Sequence, residues 1–176
     1  MKRLALAILI FVSSTLTSIY SVDSVYDVRA WEVSVDSAIK EYGLGSEYTP
    51  INVSLLKDYD NRIFNLVVSV NSEIRNKMQL LRSNKKPIRD LLFIDGKLCE
   101  IMESHEAIDD ITFKTIFVSM KNSYGFPEMK KEKELTIYTF KNEKTHAILI
   151  VHPIGNVSNA RIYFYTQSLF RMLFSD

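Results

Sequence analysis

The chain has 176 residues, of which 22 are Lys or Arg and 21 are Asp or Glu, so its formal net charge is +1 at pH 7. Such a balanced chain has no charge excess with which to capture nucleic acid or anionic lipid. It contains five glycines and one cysteine. This composition leaves little room for a glycine-rich phosphate loop and excludes an intramolecular disulfide.

The first 21 residues have the pattern of a secretory signal peptide. Lys2 and Arg3 precede nine apolar residues at 4–12, and a Ser/Thr-rich exit follows. The apolar run is shorter than the roughly 20 residues that cross a bilayer. We expect cleavage after Ser21, with cleavage after Ser18 as the second choice and an uncleaved N-terminal anchor as the alternative.

Residues 22–176 are then expected to form a single domain. Without the two leader charges, this part has 20 basic and 21 acidic residues and a formal net charge of −1. An exported chain without a disulfide fits a bacterial envelope better than a small eukaryotic secreted scaffold. The periplasm is the expected compartment, and an extracellular or envelope-associated location is the alternative.

In the first half of the chain, apolar spacing predicts two helices. The first covers about 26–42, and Tyr48–Pro50 is expected to be a loop. The second follows an apolar stripe from Leu56 to Leu81 and ends at 83–87, although the β-branched cluster at 67–70 favours a strand.

The second half predicts a hairpin, a helix and a meander. Asp95-Gly96 between two apolar runs is the preferred two-residue hairpin turn. The other predicted elements are a helix over 108–124, a charged loop over 129–134, strands at 135–140, 147–151 and 160–165, and a short helix over 168–174. The predicted fold is therefore α+β: an antiparallel sheet of about five strands (the hairpin plus a three-strand meander), with two or three helices on one face.

The reactive residue types do not form a recognisable site. His146 and His152 share a strand face but are about 20 Å apart, too far for a common metal. Cys99 has no flanking signature of a nucleophile, and the adjacent acids Asp109 and Asp110 suit the start of a helix. We predict no catalytic residue, no metal site and no cofactor.

Aromatic side chains near the end of the chain are the predicted interface. Tyr163 and Tyr165 share one strand face, and Phe170 and Phe174 follow in the terminal helix. Large aromatics are common anchors of protein interfaces. The competing interpretation is that these residues close the core.

The sequence therefore favours an exported, non-enzymatic binding or assembly module with a protein partner in the envelope and no nucleic acid. Two alternatives remain. One is a small envelope hydrolase or ligand carrier with a pocket between sheet and helix. The other is an accessory component of an envelope machine such as a secretion system or a flagellar motor.

Signal-peptide cleavage should give a mature chain that begins between Ile19 and Ser24, because the cationic start and short apolar run are the features that signal peptidase substrates share. N-terminal sequencing of the protein from its native envelope measures this directly. A native N-terminus at Met1 or Lys2 would contradict cleavage and support the anchor.

Overall fold

The computed structural model describes residues 31, 34–41, 48–51 and 76–174. Within these ranges the helices are α1 (Val35–Glu41), α2 (Asp110–Tyr124) and α3 (Gln167–Phe174). The strands are β1 (Tyr48–Ile51), β2 (Met78–Ser83), β3 (Ile88–Ile94), β4 (Lys97–Ile108), β5 (Glu128–Glu132), β6 (Leu135–Lys141), β7 (Thr145–Ile154) and β8 (Val157–Thr166).

The eight strands form one antiparallel sheet in the order β1-β2-β3-β4-β8-β7-β6-β5. It consists of two four-stranded meanders, β1–β4 and β5–β8, which are joined where β4 pairs with β8. Helix α2 carries the chain from the end of β4 at the centre to β5 at the edge. The meander then returns strand by strand to β8.

Both faces of the sheet are apolar. The first core lies on the face that α2 covers; its largest members include Phe93, Phe140 and Phe164. The second core lies on the opposite face, where α3 packs through Leu169 beside Tyr163 and Tyr165. Strand β7 contributes to both cores, which explains why residues 147–151 are apolar throughout.

Local signals define the ends of α2. The Asp109 carboxylate accepts a hydrogen bond from the Thr112 backbone N–H at 2.8 Å, which satisfies one of the free donors of the first turn. Gly125 follows the helix at φ 85°, a conformation that favours glycine. The predicted helix is thus confirmed from 110 to 124, and it buries Ile116, Met120 and Tyr124.

The predicted five-strand sheet is wrong, because the sheet has eight strands. Residues 78–83 were predicted as the end of a helix, yet they form β2; their spacing fits a helix, but pairing with β3 places successive side chains in the two different cores. Residues 129–134 were predicted as a loop, yet most of them form the edge strand β5, where charged side chains are common. Tyr48–Pro50, also predicted as a loop, lies in the other edge strand, β1.

The prediction that the helices lie on one face is also wrong. Helix α2 packs on the first core and α3 on the second, so the sheet is covered from both sides. Of the two predicted N-terminal helices, α1 occupies part of 26–42, and the stripe from Leu56 to Ile74 lies outside the described residues. No helix of the described part is long and apolar enough to cross a membrane.

The predicted hairpin and the three-strand meander are present. Asp95 and Gly96 have φ values of 54° and 72°, as a two-residue turn of the mirror-image type requires. Just beyond the turn, the β3–β4 register shifts, so that Leu92 pairs with Glu100 and Phe93 with Leu98. Cys99 is the extra residue of this bulge.

Replacing Gly96 by Val should lower the free energy of unfolding by about 1–3 kcal/mol, because a β-branched residue is strained at positive φ. A Cβ at this position would contact nothing within 4 Å, so the cost comes from the backbone alone. Gly96→Asn is the matched control, since Asn tolerates this conformation. Chemical denaturation measures both variants; equal stability of the Val variant and the wild type would contradict the strain argument.

Candidate functional site

The tyrosines of the predicted interface lie inside the second core. Tyr163 is 4% exposed and Tyr165 is fully buried, and their rings are parallel with centroids 6.0 Å apart. Phe170 is half-buried against Tyr165, and the side chain of Phe174 lies outside the described part of the structure. Tyr163, Tyr165 and Phe170 form no exposed patch in this conformation, so the role of the four aromatic residues as an interface stays a prediction that requires this face to be uncovered.

His146 lies beside the same core. Its ring stacks on Phe170 with the centroids 3.7 Å apart, and its Nε2 is 2.9 Å from Oε1 of Gln167. Burial lowers the pKa of His146 more than the Gln167 hydrogen bond raises it, and the positive charges of Lys141 and Arg171 lower it further. The imidazole of His146 therefore packs between β7 and α3. His152, which was predicted on the same strand face as His146, has its Nε2 3.3 Å from a carboxylate oxygen of Glu134 at the surface.

A buried ionic network occupies the β3–β4 pair on the first face. The carboxylate of Glu103, which is 1% exposed, accepts a hydrogen bond from Arg89 Nε at 3.1 Å. Its second oxygen lies 2.8 Å from Nε2 of His105. Burial alone would raise the pKa of Glu103, but the His105 hydrogen bond and the Arg89 charge together outweigh it and hold that pKa below its usual value.

Tyr48 of the edge strand β1 lies next to this network. Burial raises the pKa of its hydroxyl to about 12, although the charge of Arg89 and the hydrogen bond with Ser83 act in the opposite direction. The phenol therefore stays protonated at any physiological pH. The buried carboxylate of β3, Asp90, lies on the opposite face and receives two hydrogen bonds from Arg82, both at 2.7 Å.

The first candidate site is a shallow pocket of about 290 Å³ that opens beside His105, at the end of β4. Its lining residues are Lys86, Pro87, Ile88, Ser104, His105, Glu106 and Ile108. The neighbouring Ala107 has a φ of 52°, and its backbone N–H donates to Oδ1 of Asn159 at 2.9 Å. The register of the β4–β8 pair shifts between His105 and Ile108, which marks a β-bulge. Bulges are frequent beside binding sites. Among the described residues no group of three or more His, Cys, Asp or Glu side chains could hold a metal ion.

The second candidate site is the sheet edge formed by β5. All five residues of β5 are exposed, and its outer side has no neighbouring strand in the described part of the chain. Phe126, just before the strand, is 84% exposed, and Met129 within it is 61% exposed. Large apolar side chains at an open strand edge are unusual, because such an edge is a template for pairing with another chain.

Helix α2 places aromatic side chains on β6, the strand next to this edge, and adds basic side chains beside them. Phe113 and Phe117 are half-buried and contact the ring of Tyr138, the strand partner of Met129. Lys121 places its Nζ 4.0 Å from the centre of the Phe126 ring. We call the following residues the edge surface: Phe113, Lys114, Phe117, Lys121, Phe126, Met129, Lys131 and Tyr138.

The backbone of β5 offers hydrogen-bonding groups to a partner. A two-residue turn joins β5 to β6, so the closing pair Glu132–Leu135 exchanges both of its hydrogen bonds. Pairs alternate along the ladder, which turns the N–H and C=O groups of Met129 and Lys131 away from β6. These groups face the open edge.

Sequence reasoning identified neither candidate site. Residues 129–134 were read as a solvated, mixed-charge loop, because charged strands lack the apolar alternation that identifies half-buried ones. Phe126 and Met129 on either side of Pro127 were the available signal for an exposed apolar edge. The contact of Glu103 with His105 could have been suspected from their spacing of two within a strand, which places both on one face.

Comparison with known proteins gives no match: no family model, no curated protein and no solved structure resembles the chain at a significant level. The candidate sites are therefore judged on their geometry alone.

Replacing Glu103 by Gln should destabilise the fold by about 3 kcal/mol at neutral pH, because Arg89 would lose its buried counter-charge. The contribution of the Glu103 carboxylate to the free energy of unfolding is complete above the ordinary glutamate pKa of 4.5. It is lost as the pH falls through the lower pKa that Glu103 has in the folded state. The stability gap between wild type and variant should therefore narrow in acid.

Denaturant unfolding at several pH values tests this prediction. Glu106→Gln is the matched control: Glu106 forms an exposed pair with Lys86, and such pairs contribute about 0–1 kcal/mol. A gap that stays constant down to strong acid would show that folding does not lower the pKa of Glu103.

Proposed function

We propose that the protein is an exported, non-enzymatic binding module of the bacterial envelope, and that it holds a protein partner at the open edge of β5. The observation that carries the proposal is the exposure of Phe126 and Met129 on an edge strand whose outward backbone groups have no strand partner in the described part. The export step rests on the signal-peptide pattern of residues 1–21.

The β5 edge has the two features by which a sheet binds an additional strand from a partner. Main-chain hydrogen bonds from an added strand give affinity, and side-chain pockets beside the edge give specificity. Met129 and Lys131 supply the outward backbone groups, and the aromatic side chains under α2 supply an apolar contact for alternate residues of the added strand. An accessory component of an envelope machine would use the same surface to join its neighbours.

A ligand carrier or small hydrolase is the second candidate, favoured by the position of His105 at the wall of the β3–β4 pocket. The Glu103 carboxylate fixes the orientation of this imidazole, as a histidine base requires. The pocket of about 290 Å³ lies just below the range of roughly 300–1,000 Å³ that small-molecule sites usually have. We therefore rank this function second to partner binding at the edge surface.

Replacing Lys131 by Pro should abolish partner capture while the fold is kept. Proline removes the outward N–H on which an added strand depends, and proline is tolerated on edge strands when that N–H faces solvent. The assay is site-specific photo-crosslinking from position Phe126 in the native envelope. We expect a crosslinked product of one mass with the wild type and at least about a tenfold loss, equivalent to 1.4 kcal/mol, with the variant.

Lys131→Ala is the matched control, because it removes the same charge but keeps the backbone donor. Thermal unfolding of both variants verifies that the sheet is intact. Equal capture by the Pro and Ala variants would show that the partner does not use the β5 backbone, and the proposed mode of binding would fail.

A further inference from the structure

We infer that the segment added to β5 is an acidic extended strand in which carboxylate and apolar side chains alternate along one face. The inference rests on the proposed function of the β5 edge and names the chemistry of its partner. Three features carry it: the division of charges between the two faces of β5, the lysines of α2, and the apolar residue Met129, which lies two positions before Lys131 on the same face.

The side chains of β5 divide cleanly between the two faces of the sheet. Met129 pairs with Tyr138, which packs on the first core, so Met129 and Lys131 lie on the α2 side. Lys130 pairs with Ile137, which packs on the second core. Glu128, Lys130 and Glu132 consequently lie on the opposite side.

The acids of β5 are neutralised on that opposite side. Glu132 pairs with Lys130, and Glu128 lies 3.7 Å from Lys141. On the α2 side, Lys131 forms no ion pair within the described residues. The strand therefore presents a neutralised face on one side and an uncompensated positive charge on the other.

Helix α2 extends this positive charge. Lys114, Phe117 and Lys121 follow one another at spacings of three and four, so they share a helix stripe. Contact of Phe117 with Tyr138 directs this stripe toward β6 and the edge. Lys114 has no ion-pair partner among the described residues, and Lys121 lies over Phe126. Asp110 is the first residue of the same stripe, and its negative charge interacts favourably with the helix dipole at the N-terminus of α2.

The positions of Met129 and Lys131 predict a motif for the added strand. A residue opposite Met129 would contact sulfur and aromatic rings, which favours an apolar side chain. A residue opposite Lys131 would meet a lysine that forms no ion pair within the described residues, on the face of the sheet where the lysines of α2 also lie, which favours Asp or Glu. These two partner residues are two apart, so an antiparallel segment reads acidic-x-apolar.

Self-pairing of two β5 strands in the register centred on Lys130 fits the edge poorly. Antiparallel pairing centred on Lys130 would place Lys130 against Lys130 and Glu128 against Glu132, which are pairs of like charge. Like charges directly opposite one another destabilise a sheet. A heterologous acidic segment avoids both conflicts.

The test uses the purified full-length mature chain and labelled synthetic peptides with the repeat X-Thr-Val-Thr, in which X is Glu, Gln or Lys, so that X and Val alternate along one face of the strand. Fluorescence anisotropy measures the dissociation constants. The Glu peptide should bind about tenfold tighter than the Gln peptide, equivalent to 1.4 kcal/mol, and the difference should shrink as salt screens the charges. The Lys peptide should bind most weakly. The double variant Lys114→Glu, Lys131→Glu should reverse this order.

Lys97→Glu is the control for net charge, because Lys97 is an exposed lysine at the β3–β4 turn on the other meander. It should leave the preference for Glu unchanged. Equal binding of the Glu and Gln peptides, with both lost in Lys131→Pro, would overturn the acidic motif while leaving the edge function intact.

Three other results would also overturn the inference. Binding of the Glu peptide that survives in Lys131→Pro would place the peptide elsewhere. A concentration-dependent dimer that Lys131→Pro abolishes would make a second copy the occupant. Absence of binding by every peptide up to about 1 mM, while the crosslink from Phe126 persists, would mean that the partner is not an extended segment.

Discussion

Pairing of β4 with β8 holds the molecule together. Within each four-stranded unit the strands are paired in chain order, and among the described strands only the β4–β8 pair joins the two units into one sheet. The pairing runs from Glu100–Tyr165 to Ile108–Ser158 and brings β4 residues of both faces into contact with the aromatic strand β8. Without it, each meander would have an additional open edge and both cores would lose their centre.

The position of the candidate edge follows from the same pairing. Because the last strand occupies the central place beside β4, the strand that follows α2 must begin at the far side of the sheet. Helix α2 spans that distance and covers the first core as it does so, through Ile116, Met120 and Tyr124. The open edge, the basic helix stripe and the exposed Phe126 are therefore neighbours as a result of topology.

Much of the second half of the fold could be predicted, because its signals are local. The Asp95-Gly96 turn, the Asp109 cap and the apolar run of β8 each act over a few residues. The sheet order could not be predicted, because β4 and β8 are separated by about fifty residues and no pattern in either strand specifies the other. Strand β2 was misread since its apolar residues serve two cores, and β5 was misread since an edge strand needs no apolar face.

The long separation of β4 and β8 also bears on the order of folding. The meander β5–β8 consists of contacts between sequence neighbours, which form quickly, whereas the β4–β8 pair must close the loop that contains α2 and three strands. Until β4 docks, β8 is itself an edge, and it carries Ile162, Tyr163, Phe164 and Tyr165 in succession. Such a strand is prone to intermolecular pairing. The folding chain would thus be most prone to aggregation before β4 pairs with β8. Substitutions that slow this pairing would reduce the yield of folded protein without altering its final stability.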